Sequence, residues 1–214
     1  MALELADVHL GVAGRTLLRS LNACIGAGEV LVVMGPSGSG KSSLLAWVAG
    51  TLETPPFDAR GQLSLDGQAI DALPIQQRRI GLLFQDDLLF PHLSVRENLL
   101  FALPPGPRDE RHAATEAALA DAGLAGFGER APASLSGGQR ARVSLLRALL
   151  AQPRALLLDE PFNKLDQALR AQVREFTFAT LRARGVPALL VTHDPADVPS
   201  GAALIELGTK AGDA

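Results

Sequence analysis

The chain has 214 residues, 47% hydrophobic and 20% charged, which fits one globular domain, with or without a small lobe, and excludes a disordered polymer. A net charge of −3 without any basic block argues against a general nucleic-acid binder. The single cysteine, Cys24, excludes an internal disulfide and is expected as a small core residue in a reducing compartment.

From the amino end, Met1 to Asp7 lacks the basic-then-apolar order of a signal peptide. No apolar run is long enough to span a bilayer, so any membrane role is expected through a partner. Leu3 to Leu10 reads as a short strand. Val30 to Met34 is a continuous apolar run ending in glycine, as a buried parallel strand would. Ser43 to Ala49 follows as an apolar helical stretch, and Gly61 to Ile70 as strand with a turn at Asp66-Gly67. Pro104 to Pro107 marks a loop. A helix is predicted over 109–122, with Asp109 as N-cap and Gly123 as stop. A second runs from Ser136 to Ala151, with Val143, Leu146 and Leu150 on one face. Ala155 to Leu158 and Ala188 to Val191 are two more buried-strand runs, ending in Asp159-Glu160 and Thr192-His193-Asp194. In open parallel α/β sheets ligands sit at the carboxyl ends of strands, so three strand ends bring chemistry to one edge. Residues from about 86 to 150 read as a helical lobe inserted in this single α/β domain.

The chemistry begins at Gly35-Pro36-Ser37-Gly38-Ser39-Gly40-Lys41-Ser42, which fits G-x-x-x-x-G-K-[ST] between a strand and a helix, with Ser43 next in the helix. Glycines let backbone N–H groups turn toward phosphate oxygens, and the helix adds its positive end. Lys41 is expected on the β- and γ-phosphates and the Ser42 hydroxyl on Mg²⁺. Asp159 is the second expected Mg²⁺ ligand, and Glu160 is the candidate base for an attacking water.

Leu135-Ser136-Gly137-Gly138-Gln139, followed by Arg140-Ala-Arg142, resembles the signature of ATP-binding-cassette (ABC) ATPases, and the resemblance runs from about residue 3 to 207. It implies a P-loop NTPase (RecA-like) α/β core with short antiparallel β elements and an inserted α-helical lobe. It also implies ATP hydrolysis with Mg²⁺, in a head-to-tail dimer where each ATP lies between the P-loop of one copy and the signature of the other. Gln85 looks like the glutamine that contacts Mg²⁺ and the water. Asp166 looks like the seam aspartate of Pro161-Phe162-Asn163-Lys164-Leu165-Asp166, and His193 like the histidine that grips the γ-phosphate. The stretch from Asp86 to Asn98, with several large apolar residues, is similar to the region that receives a membrane subunit, and its combination with Asp-Glu-Pro-Phe resembles the importer branch that includes thiamine, sulfate and polyamine systems. The implied partners are a second copy, transmembrane permease subunits and, indirectly, a solute-binding protein, with no nucleic acid. The implied location is the inner face of the cell membrane. The added C-terminal regulatory barrel of many such importers is not expected, because the chain stops near Gly208 to Ala214.

The family usually stacks an aromatic on adenine at a place that falls here near Val12, where no aromatic is nearby in sequence. Weaker ATP binding and poor discrimination between ATP and GTP are therefore expected. Lys164 stands where a small residue is usual, and is expected either on phosphate or the partner's acids, or solvated at the seam. Asn163-Lys164-Leu165-Asp166 also fits the guanine-reading N-K-x-D, but no D-x-x-G follows the carboxylate strand. Efflux or lipoprotein-release ATPases, non-transport ABC ATPases and a non-hydrolysing scaffold are the alternatives.

Overall fold

A computed structural model describes residues 1–208; the expected chain end, 209–214, lies outside the described residues. The chain divides into two compact units, one of Met1–Leu82, Arg154–Glu160 and the chain from Leu181 onward, the other of Leu83–Pro153 and Pro161–Thr180. The second unit thus also takes in a segment after the carboxylate strand, which lies beyond the 86–150 lobe read from the sequence.

The first unit opens with β1 (Leu3–Val12) and β2 (Arg15–Ile25), then β3 (Val30–Met34) and α1 (Lys41–Ala49). It continues through β4 (Phe57–Leu65), β5 (Gln68–Ala69), the one-turn α2 (Ile75–Arg78) and β6 (Ile80–Leu83). The chain returns to it for β7 (Ala155–Asp159), β8 (Ala188–Thr192) and β9 (Ala203–Glu206). Two sheets result: an antiparallel one in the order β2-β1-β4-β5, and a five-stranded one in the order β6-β7-β8-β3-β9. The pairs β3–β8, β7–β8 and β3–β9 are parallel. The predicted turn is present, with Asp66 and Gly67 both at positive φ (51° and 75°) between β4 and β5.

Strands β7 and β8 carry an unbroken leucine-rich run because both faces are covered; Leu156, Leu157, Leu158, Leu189 and Leu190 are all fully buried. Each such side chain contributes roughly 1.5–3 kcal/mol of apolar burial. Strand β2 hides from sequence patterning. Leu18, Leu21 and Ile25 are its buried residues, at helix-like spacings, because register shifts along β1 and a positive φ at Ser20 break the period of two. Cys24 is a correction: it is exposed, paired with Glu4 of β1 on the solvent face of β2.

The second unit packs α3 (Val95–Ala102), α4 (Arg108–Asp121), α5 (Gly137–Leu150) and most of α6 (Gln167–Arg184). Its core joins Val95 and Leu99 to Leu119, Val143, Leu146 and Leu150. The face predicted for α5 is therefore the buried one. Helix α4 starts one residue earlier than predicted, with Pro107 at the cap. Asp109 is instead an acid of the first turn, where it meets the positive end of the helix dipole.

Candidate functional site

The P-loop leaves β3 at Gly35 and enters α1 at Lys41. Gly35 and Gly40 have φ of 155° and 99°, a region closed to side chains without strain. Space enforces the same choice: a Cβ on Gly35 would lie 2.6 Å from the Leu207 carbonyl oxygen, and one on Gly40 would lie 3.0 Å from Leu17 Cβ. No side chain caps α1, so its first N–H groups stay open to an anion. Lys41 is 7% exposed, and its ammonium donates to the carbonyls of Gly35 (2.7 Å) and Pro36 (2.9 Å). The loop itself thus holds the charge in place. Within the loop, the buried Ser39 hydroxyl has no hydrogen-bond partner among the described residues.

Asp159 ends β7, half-buried. Burial, and then the charge of Glu160, push its carboxyl above the ordinary carboxylate range, while Lys41 pulls it down. A carboxylate in such surroundings gains most from a cation. Ser42 and Asp159 offer an all-oxygen pair, which suits Mg²⁺, an ion that usually takes one or two protein oxygens and completes its shell with phosphates and water. The same shift has a stability consequence. Because the folded pKa lies above the unfolded one, ionised Asp159 costs stability in full above the folded pKa, and the cost disappears as pH falls below the unfolded pKa. Asp159→Asn is therefore expected to raise the melting temperature of the nucleotide-free protein at neutral pH while weakening Mg²⁺-dependent turnover. Thermal melts at pH 7.5 and at a pH near 4 check this, since the gain should shrink at the lower pH.

Glu160 follows at φ 45°, the left-handed region, a strained conformation for a non-glycine residue. Its N–H donates to the Val191 carbonyl (3.0 Å), which binds the end of β7 to that of β8. That tie sets His193 Nδ1 3.1 Å from Glu160 Oε1, with the histidine side chain 52% and the glutamate 24% exposed. Behind them the Thr192 hydroxyl donates to buried Asp197 (2.9 Å) and accepts from the Asp194 N–H (3.1 Å), fixing the turn that carries His193. Sequence reasoning missed Thr192 and Asp197, because a buried hydroxyl–carboxylate pair five residues apart has no motif.

Lys41, Ser42, Ser43 and Glu160 line one cleft of about 390 Å³ together with Val12, Arg15, Leu17 and Phe57. The expectation of no aromatic near Val12 is thereby corrected. Phe57 sits directly opposite Val12 in the β1–β4 ladder, a neighbour that strand pairing supplies and sequence distance conceals.

In the second unit, Ser136 caps α5. Its hydroxyl accepts from Gln139 N–H (3.4 Å), and the Gln139 side-chain oxygen accepts from Ser136 N–H (2.9 Å). The serine O–H hydrogen remains a donor for a ligand. Leu135 is buried as the anchor. Gly138 is buried for packing reasons, since a Cβ there would come within 2.4 Å of Leu169 Cδ1 on α6, and Gly137 faces Leu165 more loosely at 3.6 Å. Asp166 is the cap of α6, accepting from Leu169 N–H at 3.0 Å. Lys164 is exposed and forms a surface ion pair with Asp86 of its own chain, in keeping with the solvated lysine that was one of its two expected readings.

Gln85 belongs to this second unit, on an exposed bend just after β6. The segment behind it is fastened to α5: Arg140 donates to the Asp87 carboxylate (3.1 Å) and to the Leu135 carbonyl (2.7 Å), and Ser144 to the Asp87 carbonyl (2.9 Å). Buried Asn98 bonds the backbone of Phe90, Leu93 and Ser94. Phe84, Leu88 and Phe101 remain exposed, Phe101 at 69% and edge-on to Phe90.

The profile of the ABC transporter family matches residues 18–163. The uncharacterized ABC transporter ATP-binding protein YnjD of Escherichia coli (strain K12) is 48% identical over 202 residues, covering 94% of this chain and 93% of that protein. The thiamine import ATP-binding protein ThiQ of Cereibacter sphaeroides is 44% identical over 185 residues, covering 85% of this chain and 77% of the relative. The Fe(3+) ions import ATP-binding protein FbpC of Pseudomonas fluorescens is 42% identical over 206 residues; this chain spans 93% of its own length but only 56% of that relative.

Proposed function

The chain belongs to the ABC transporter family as an ATP-binding, transport-coupled ATPase subunit, and from that premise we propose that it powers an importer through ATP-driven pairing of two copies. The observation that carries the catalytic part is the Glu160–His193 contact of 3.1 Å, on strand ends beside the P-loop lysine. Names of relatives that import thiamine or Fe(3+) ions support the importer reading. No helix among the described residues is long and apolar enough to cross a membrane. In this reading, which the family membership supports, the work reaches the membrane through permease subunits at its inner face. The exposed Phe84, Leu88 and Phe101 supply an apolar surface of the kind such a subunit covers.

In this reading, Lys41 and the α1 N–H groups hold the phosphates. Glu160 takes a proton from a water whose oxygen attacks the γ-phosphorus as the bond to the β-phosphate oxygen breaks, leaving ADP and phosphate. His193, oriented by Glu160, faces the departing phosphoryl group. Ser42 and Asp159 would hold Mg²⁺, which supplies charge neutralisation at the phosphates. The Ser136 hydroxyl and the start of α5 meet the γ-phosphate of the partner copy, so hydrolysis removes what joins the two. The test is phosphate release by the complex purified from membranes with the native chain. ATP-dependent release with permease subunits retained supports the reading; a pure, folded complex that binds ATP and releases no phosphate overturns it.

A further inference from the structure

We propose that Phe57, on a strand 45 residues away in sequence from Val12, is the residue on which the base of the bound nucleotide stacks. The proposal rests on the ATPase reading above for the identity of the ligand. Val12 pairs with Arg15 across the β1–β2 hairpin and with Phe57 across the β1–β4 ladder. Directly opposed residues of antiparallel strands put their side chains on the same face. Arg15, Val12 and Phe57 therefore form one transverse row over three strands, and all three line the cleft together with Ser37, Gly38 and Gly40 to Ser43.

The two ends of that cleft differ in chemistry. The P-loop end offers N–H groups and an ammonium for phosphate. The sheet end offers Val12, Leu17, the half-buried ring of Phe57 and, beside Val12, Arg15. Leu17 is the link between them, within 3.0 Å of where a Cβ of Gly40 would sit. A hydrogen bond from Ala13 N–H to the Pro56 carbonyl (3.3 Å) extends the ladder and holds Phe57 in register. Phe57 is the single aromatic among the residues lining this cleft. Every base presents a π-face, so stacking adds affinity without choosing among bases. Phe57 thus restores the affinity that Val12 does not supply, and leaves ATP and GTP little distinguished.

Equilibrium binding of ATP, GTP and inorganic tripolyphosphate, each with Mg²⁺, tests the assignment on the native chain and on Phe57→Ala, Phe57→Leu and Phe57→Tyr. Ala and Leu are expected to weaken ATP and GTP alike by roughly 5- to 100-fold. Tripolyphosphate affinity should stay within about twofold, since the phosphate end is untouched. Tyr should restore nucleotide affinity. Phe57→Leu keeps apolar bulk at the position, so a loss there is specific to the aromatic face. Unchanged ATP affinity in the folded Leu variant, or equal losses for ATP and tripolyphosphate, overturns the stacking role while leaving the ATPase reading standing. A native chain that binds neither ATP nor tripolyphosphate instead overturns the ATPase reading and this assignment with it.

Discussion

Glu160→Gln is expected to lower ATP turnover by about 10²–10⁴ while leaving ATP affinity within a few-fold of the native chain. Glutamine is nearly the same shape, and its carbonyl oxygen still accepts a hydrogen bond from His193, which lies 3.1 Å from the carboxylate. The backbone tie from residue 160 to Val191 does not involve the side chain and survives. Only the ability to take a proton is lost. Residue 160 holds a left-handed conformation, φ 45°, which costs of order 1–3 kcal/mol for a non-glycine residue. Glutamine carries about the same strain as glutamate, so stability should not change. Single-turnover hydrolysis together with equilibrium nucleotide binding checks this. Near-native hydrolysis would remove Glu160 from the role of base; lost binding would mean the substitution had disturbed the loop.

Lys41→Met is expected to weaken ATP binding by about 10²–10³-fold, because truncating one partner of a buried charge pair costs roughly 2–5 kcal/mol. The aliphatic stem of methionine fills the space of the nearly buried lysine, so the cost is charge and hydrogen bonding rather than a cavity. Two further effects accompany it. The carbonyls of Gly35 and Pro36 lose the ammonium that both accept from, which loosens the loop. Asp159 loses the cation that holds its carboxyl down, so its ionisation shifts further upward. Titration calorimetry with MgATP measures the loss, and an affinity within threefold of native would exclude Lys41 as a phosphate ligand.

The parts of the site legible in the sequence were those where one short segment carries the chemistry. The P-loop, the Asp159-Glu160 strand end and the Ser136–Gln139 helix start each announce themselves by spacing and flanking apolar runs. What stayed hidden depends on strands or helices meeting across long sequence distances. Phe57 faces Val12 through a ladder that no local pattern reveals. Strand β2 has its buried residues at helical spacings because bulges reset the alternation. The reason for Gly138 is the approach of Leu169 from another helix, and Asp166 caps a helix that sequence reading did not mark. Lys164 pairs on the surface with Asp86, 78 residues away in sequence, a partner that no local pattern names.

The central claim is a nucleotide held by two molecules, with Gly35 to Ser42 contributed by one and Ser136 to Gln139 by the other. Sedimentation of the Glu160→Gln protein with saturating MgATP tests it most directly, against the 22.4 kDa mass of one chain. The account predicts a species of twice that mass that forms with ATP, reverts with ADP and fails to form when Ser136→Arg blocks the helix start. A species that stays at the mass of one chain, with ATP stoichiometrically bound, would contradict it.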